Sequence, residues 1–414
     1  MSHVAVPSLY GQVKIYKEGH PLRPVVAFYD EPTVKLACYL VNMVSFFLPE
    51  PPPFSVRDSV DFANRLSTRH FPRHAVIVSF DAVEIFTKID VQQSIGIIHQ
   101  RLLDAGAPTP MAEEAKTLLE LCCRRNYCAF RGNTYVFPDG LPMGGPLSSL
   151  LANWTMATLE DFLFSNSSSS YPVGFWCRYV DDIFCVWEGT GTQLDSFLFT
   201  LNSFFPRLKF TLEYGGTFLP FLDLRITLTE NQNRLTPSLE VYRKATYTGV
   251  GISASSFHPH FHKMAALTSM VHRLLSLPLS PQAFEKERLI LEAIRKKNGT
   301  LVDLNKLINR KKRRMIRQRS TSLSRIDDQP RRKFLRMPYL GKVSDQLSRI
   351  LKRFDCQAAY YPLLTLISIA SPKFFERPSP ESDVITGGRG SQNTSWGVGE
   401  NKDMKHINFM ELKI

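Results

Sequence analysis

CRYVDDIFCVW, residues 177–187, sets two adjacent carboxylates, Asp181 and Asp182, between two apolar and aromatic runs. Tyr179 and Val180 on one side, and Ile183, Phe184, Val186 and Trp187 on the other, have strand composition, so the pattern predicts a hairpin with both acids at its turn. Neighbouring ionised carboxylates repel each other. A turn that keeps them together is either freely solvated or the seat of a divalent cation, which takes a few hard oxygen ligands and keeps water for the rest. Solvated Asp-Asp turns are ordinary, so the pair alone decides nothing. A third acid narrows the choice: HAVIVSFDAVEIF, residues 74–86, reads as a buried strand ending near Asp81. An aspartate at that strand end would supply the third carboxylate for two metal ions about 3.5–4 Å apart, the arrangement used for in-line phosphoryl displacement.

Charge points to the same kind of partner. The 414 residues include 51 Lys or Arg against 38 Asp or Glu, a formal +13. Between Lys286 and Arg353 there are 22 basic and 6 acidic residues, a local +16, so the rest of the chain is slightly acidic. A cationic block of this kind rewards a polyphosphate through counterion release, which makes nucleic acid the leading partner. The seven cysteines are scattered, odd in number and without a C-x-x-C pair, which argues against a disulfide framework and a zinc knuckle and suits a reducing compartment. The start lacks the basic-then-apolar layout of a signal peptide, and no apolar run reaches the roughly 20 residues that span a bilayer. The expectation is an intracellular, soluble protein with no membrane association.

Further elements follow from spacing. PEPPPF at 49–54 is rigid punctuation. Residues 89–105 and 111–125 have helical periodicity, NYCAFRGNTYVF reads as a hairpin turning at 131–133, and PLSSLLANWTMATLEDFLF reads as a helix. A helix at about 193–205 precedes strands at 208–214, 219–228 and 238–243. Beyond residue 260 the pattern turns helical, with AALTSMVHRLLSL, then FEKERLILEAIRKKNG stopping at Gly299, and then DQLSRILKRF, for which Ser344 is the expected N-cap and Leu347, Ile350, Leu351 and Phe354 one apolar face. From about 374 onward Pro, Ser, Gly and Asn dominate, and a disordered tail is expected.

Taken together and in order, YGQVKIYKEGHPLRPVV (10–26), SFDAVEIFTKID (79–90), DGLPMGGPLSSLLANWTMATLE (139–160), RYVDD (178–182), LKFTLE (208–213), PFLDLRI (220–226), YRKATYT (242–248) and FHPHFHKMAAL (257–267) resemble the motifs of reverse transcriptases, and more narrowly those of Penelope-like elements. MPYLGKVSDQLSRILKRF is similar to that family's region beyond the palm, so the resemblance spans roughly residues 7–360. It implies an α+β right-hand polymerase: a fingers-like part over 1–78, a palm with an antiparallel sheet and inserted fingers elements over 79–256, a helical, basic thumb-like region over 257–372, and a disordered tail over 373–414.

The site residues that the resemblance implies are these. Asp81 and Asp181 match the direct metal ligands and Asp182 their neighbour, for two Mg²⁺ ions with Mn²⁺ as a substitute. Phe86 falls where an aromatic lies under the incoming sugar and excludes a 2′-hydroxyl. Gly140, Gly144 and Gly145 would let backbone approach the nucleotide, helped by Lys17, Arg23 and Tyr179. Lys14, Arg178, the Phe221, Leu222 and Asp223 turn that grips the primer end, His258 and Lys263 would contact nucleic acid. Lys209 matches a lysine proposed to protonate pyrophosphate. His258, His260 and His262, alternating in an extended run, would share a face, but contact with a nucleic-acid backbone or a structural role is expected of them rather than zinc. The run Arg310, Lys311, Lys312, Arg313, Arg314 is a nucleic-acid grip, a nuclear localisation signal, or both.

Departures from the family pattern are Phe137 for glutamine, Ala82 for valine, Lys88 for asparagine, Tyr16 for histidine and Ser149 for proline. Met1 stands nine residues before Tyr10 and no GIY-YIG endonuclease motif follows residue 360, so a shortened element without its own nicking activity is expected. The expected function is RNA-directed DNA polymerisation from a primer 3′-hydroxyl, with RNA template, DNA primer and dNTPs as partners, no obligate protein partner, and a nuclear or partly cytoplasmic location. The alternative is a truncated or domesticated, non-catalytic nucleic-acid binder, and a third reading, against which Phe86 speaks, is an RNA-dependent RNA polymerase.

Overall fold

The computed structural model describes residues 6–15, 17–28, 31–124, 126–136, 140–165, 171–321, 333–361 and 405–406. In chain order the elements are β1 (Ser8–Val13), β2 (Leu22–Ala27), α1 (Val34–Phe47), α2 (Ser59–Ser67), β3 (Val76–Ala82), α3 (Ile85–Lys88), α4 (Val91–Asp104), α5 (Thr109–Arg124), β4 (Tyr127–Phe130), β5 (Asn133–Val136), α6 (Pro146–Ser165), β6 (Val173–Tyr179), β7 (Asp182–Trp187), α7 (Gly191–Phe204), β8 (Phe210–Gly216), β9 (Phe218–Phe221), β10 (Leu224–Asn231) and β11 (Arg234–Val241). They continue with α8 (His260–Ser276), α9 (Pro281–Lys297), α10 (Leu304–Thr321), β12 (Lys333–Pro338), α11 (Lys342–Leu351), β13 (Cys356–Tyr361) and β14 (Lys405–His406). Two compact units result, one within 1–247, 276–287 and 401–414, the other within 248–275 and 288–400. Most of the expected tail, 373–404 and 407–414, lies outside the described residues.

The first unit is built on an antiparallel four-stranded sheet in the order β6-β7-β3-β8. Its central strands read as unbroken apolar runs because both faces are covered. On one face Val78, Phe80, Ile183, Cys185 and Trp187 pack in a core shared with α1, α4, α5, α6 and α7. On the other, Ile77, Phe184 and Val186 pack on Phe62 of α2 and on Phe221, Leu224 and Ile226 of β9 and β10. Period-two alternation sends successive side chains of one strand to these two cores. The helices start where side chains satisfy their free N–H groups: Asp58 accepts from Val60 and Asp61, Asp90 accepts from Gln93, and Thr190 forms a capping box with Gln193.

A second sheet, β14-β5-β4-β1-β2, contains the β1–β2 hairpin, in which Gln12 pairs with Arg23 and Val13 with Leu22. Its tip turns through Gly19 and His20, both at positive φ. The expected hairpin at 131–133 is β4–β5, turning through Arg131 and Gly132. The stretch 219–228, expected as one strand, is two: β9 and β10 fold back on each other at Leu222, whose φ is +56°, with Phe221 paired to Leu224. A third, three-stranded sheet, β11-β10-β9, results.

In the second unit β12 and β13 pair in parallel, Lys333 with Cys356 through Pro338 with Tyr361, and α11 connects them. Ser344 is not the N-cap of α11. The helix begins at Lys342 after Gly341, and Ser344 is buried inside its first turn, accepting from the Leu340 N–H at 2.7 Å and donating to the Pro338 carbonyl at 3.1 Å. Leu347, Ile350 and Phe354 of the expected apolar face are exposed among the described residues. No helix among the described residues is long and apolar enough to cross a membrane.

Candidate active site

Asp81 is the direct register partner of Asp182 between β3 and β7, which sets their Cα atoms roughly 4.5–5.5 Å apart. Tyr179 pairs with Asp182 across β6 and β7, so Val180 and Asp181 form a two-residue turn. The Ala82 N–H donates to the Asp181 carbonyl at 3.1 Å, which ties that turn to the end of β3. Asp81 and the adjacent pair Asp181 and Asp182, distant from it in sequence, therefore meet at one end of one sheet. A positive φ at the first central position of a two-residue hairpin ordinarily goes to glycine, asparagine or aspartate. Here Val180 occupies it at φ +57°, a conformation that costs a β-branched residue on the order of 1–3 kcal/mol and persists only where its surroundings hold it.

The electrostatics carry the cost of this convergence. Burial pushes the Asp181 carboxyl above the ordinary carboxylate range; a backbone N–H opposes this, the charge of Asp81 adds to it, and Arg23 and Lys14 pull it back. Asp182 is pushed up to about 6, first by desolvation, then by Asp181 and Asp81, with Lys244 and Lys17 opposing. Asp182 keeps solvent-accessible surface, yet enough protein surrounds it for desolvation to lead. The cations that face the acids thus come from the β1–β2 hairpin and from the residues just after β11. No three His, Cys, Asp or Glu side chains among the described residues close into a metal-holding cage. Magnesium needs only one or two carboxylates and retains water, and an all-oxygen set with crowded negative charge suits a hard divalent cation.

Arg178 was expected to touch nucleic acid, but its side chain is fully buried. Its Nε and Nη2 donate to the two Glu160 carboxylate oxygens at 2.7 and 3.0 Å, Nη1 to Asn153 Oδ1 at 2.8 Å and to the Val180 carbonyl at 3.3 Å, and Nη2 also to the Asn153 carbonyl at 3.3 Å. Glu160, itself buried, also accepts from Trp176 Nε1 at 3.2 Å. Tyr179, the next residue, is exposed at the sheet end.

Gly140 and Gly144 make room for the protein's own backbone, and Gly145 for a side chain. A Cβ on Gly140, at φ +78°, would stand 2.5 Å from the Thr87 carbonyl oxygen, and one on Gly144, at φ +110°, would stand 2.4 Å from that of Val26. At Gly145 a Cβ would meet Ser148 Oγ at 2.9 Å. This loop is the seam between β2, α3 and α6: the Val26 N–H donates to the Met143 carbonyl at 2.9 Å, and the Leu141 N–H to the Phe86 carbonyl at 2.6 Å. Phe86 is half-buried beside the loop, with its ring packed against the helical core.

The other expected residues are placed as follows. Phe221 is buried with its ring 4.8 Å from Phe62 and 5.4 Å from Phe184, so of the expected primer-gripping turn it is a core anchor, while Leu222 and Asp223 keep surface. Lys209 donates to the Asn202 carbonyl near the end of α7 at 2.8 Å, a cation at a helix C-terminus. In the second unit His260 and His262 lie in the first turn of α8 rather than in an extended run, so they do not share a face. His258 Nδ1 bonds Ser256 Oγ at 2.6 Å, and Lys263 donates to the Ala254 carbonyl at 2.8 Å. Arg310, Lys312, Arg313 and Arg314 are exposed on α10, Lys311 is half-buried, and Leu304, Leu307 and Ile308 are buried.

Lys244, Glu160 and Asn153 were not singled out from sequence. Lys244 stood unremarked inside YRKATYT. Glu160 stands beside Asp161 in a largely apolar helix, and only the fold shows that Glu160 is the buried acid of the two.

Comparison with known proteins adds the following. The model of the animal helix-turn-helix domain matches residues 252–299, which contain α8 and α9. No curated protein matches. Among solved structures the chain is similar to telomerase from Candida albicans in complex with a TWJ fragment of telomeric RNA, at 12% identity over 73% of this chain and 58% of that one, with a TM-score of 0.47. It is similar to apo telomerase from Candida tropicalis at 12% identity, 71% and 57% coverage and a TM-score of 0.44. It is also similar to the BmCPV RNA-dependent RNA polymerase at its elongation state, at 10% identity, 71% and 26% coverage and a TM-score of 0.42. The chain spans a little over half the length of these telomerase chains.

Proposed function

We propose that this chain is a template-directed nucleotidyltransferase, an RNA-directed DNA polymerase of the Penelope-like kind. The observation that carries the reading is the register match of Asp81 with Asp182 beside the Asp181 turn, with Lys14, Lys17 and Arg23 facing the acids. Asp81 and Asp181 would hold two Mg²⁺ ions and Asp182 would stand beside them; when bound, the ions lower the pKa of a primer 3′-hydroxyl and neutralise charge on the phosphoryl group.

The protein's own groups do the rest. Lys14, Lys17 and Arg23, on a hairpin whose tip projects cations, neutralise the triphosphate as it seats. Phe86, held by its carbonyl bond to Leu141, places an aromatic wall where a ribose 2′-hydroxyl would collide, which favours dNTPs. Leu222 and Asp223, at the turn anchored by Phe221, support the primer end. The motif order in the sequence supports RNA as the template.

The test is primer extension on a defined RNA template with Mg²⁺ and dNTPs, with Asp181→Asn as control. Extension by the wild-type protein and loss of several orders of magnitude in the variant is the expected result, since the carboxylate is a direct ligand. Salt-sensitive RNA binding that Asp181→Asn leaves unchanged, with no extension, would replace the enzyme with a nucleic-acid binder. Equal use of ribonucleotides would redirect the reading to an RNA-dependent RNA polymerase.

A further inference from the structure

We infer that Arg178 and Glu160 are a positioning pair that sets the Val180–Asp181 turn and through it the affinity of the aspartate site for divalent cations. The inference rests on the two-metal reading of that site.

A guanidinium has five N–H donors, and Arg178 makes five hydrogen bonds: two to Glu160, two to Asn153 and one to the Val180 carbonyl. None of these acceptors is water, since Arg178 is 0% and Glu160 1% exposed. Such an ion pair is a poor device for stability, because desolvating both charges offsets their attraction and apolar side chains of similar volume do as well or better. Its value lies in direction. Glu160 and Asn153 stand seven residues apart on α6, hence on one face, and fix the guanidinium plane from the helix side. The fifth donor is then aimed at the carbonyl of the one turn residue held at positive φ, immediately before Asp181. On the opposite side the Ala82 N–H holds the Asp181 carbonyl. The turn is clamped between α6 and β3, and α6 begins in the glycine loop that abuts β2. Groups that orient the ligands of a metal commonly change affinity or rate by about 10–100-fold when removed.

The test uses the full chain and two variants. The apolar pair Arg178→Met with Glu160→Leu removes both charges together, and Arg178→Lys keeps a charge for Glu160 but cannot reach Asn153 and Val180 at once. Mn²⁺ binding is followed by electron paramagnetic resonance, folding by circular dichroism and thermal melting, and primer extension is resolved into kcat and KM. Expected are folded proteins, Mn²⁺ affinity about 10–100-fold weaker than wild type, and a fall in kcat with KM for dNTP little changed. Wild-type Mn²⁺ affinity in both folded variants would overturn the inference. So would failure of both to fold, because the pair would then be a stability element. The two readings separate cleanly. If the wild-type protein binds Mn²⁺ through Asp181 but extends nothing, the polymerase reading falls and the clamp stands. If it extends primers and the variants do so equally, the clamp falls alone.

Discussion

Asp182 is the residue at which the proposed function and the stability of the fold pull hardest in opposite directions. Desolvation first, then the charges of Asp181 and Asp81, lift its carboxyl to about 6, so at neutral pH the folded protein holds an ionised group that it disfavours relative to the unfolded chain. The sign follows from linkage. A raised carboxyl binds a proton more readily when folded, so stability from this group increases as pH falls from about 6 toward the unfolded value of 3.8 and is lower above it. Asp182→Asn removes the charge without changing shape. We expect it to stabilise the metal-free protein at pH 7.5 by about 1 kcal/mol once solvent screening is allowed for, a rise in melting temperature of about 2–4 °C, while weakening polymerisation. Differential scanning calorimetry in EDTA checks this; an unchanged or lower melting temperature would mean the acids do not crowd one another in solution. Such a trade is the ordinary signature of a functional site.

At the level of elements, the β1–β2 hairpin is the part whose role goes furthest beyond its own packing. Arg23 and Lys14 act on Asp181, and Lys17 acts on Asp182, from a hairpin whose buried contribution is small: only Leu9 and Val26 of its strands are buried. Replacing Lys14, Lys17 and Arg23 with glutamine therefore leaves the melting temperature within about 2 °C, as expected for surface charges. The KM for dNTP should rise by about tenfold or more, since each charge-assisted phosphate contact contributes on the order of 1.5–3 kcal/mol when made. Steady-state kinetics with a fixed primer and template reads this, and an unchanged KM would detach the hairpin from the triphosphate.

What was legible at this scale, and what was not, has a physical pattern. β3, β6 and β7 declared themselves through apolar runs ending in acids, and β4–β5 through Arg131 and Gly132 at its turn. The β9–β10 turn escaped the strand pattern, though the resemblance implied a hairpin there, because Leu222 adopts positive φ without the glycine or asparagine that would announce it; burial of Phe221 among Phe62 and Phe184 holds it there. Gly140 and Gly144 were legible as close approaches, but only the fold reveals that Thr87 and Val26 are what they approach. Arg178 was misread because sequence distinguishes a cation beside an active turn from a buried one only through its partner, and Glu160 lies on a different element. Lys244 carried no pattern at all; its effect on Asp182 exists only once β11 has delivered it there.

Across the whole molecule, charge is segregated in a way that assigns different jobs to different cations. The stretch from Lys286 to Arg353 exceeds the net +13 of the entire chain, so the remainder is slightly acidic, and the hairpin cations are a local exception that faces acids. On α10, Leu304, Leu307 and Ile308 are buried and Lys311 is half-buried on the same side at helical spacing, while Arg310, Lys312, Arg313 and Arg314 are exposed. If this helix supplies general affinity for a nucleic-acid backbone, each exposed cation that meets a phosphate contributes about 0.7–0.9 to the slope of log affinity against log salt. Changing these four residues to glutamine should lower that slope by up to roughly 3 units and weaken RNA binding uniformly across sequences. The Lys311→Gln variant should change the slope least, because its side chain is partly withdrawn from solvent. Binding isotherms at several salt concentrations measure the slope, and kcat at saturating template provides the counterpart, which should not move if α10 supplies affinity alone. A quadruple variant with the wild-type slope would place the nucleic-acid grip elsewhere, and one that lost kcat at saturation would mean that α10 acts on the chemistry and not only on affinity.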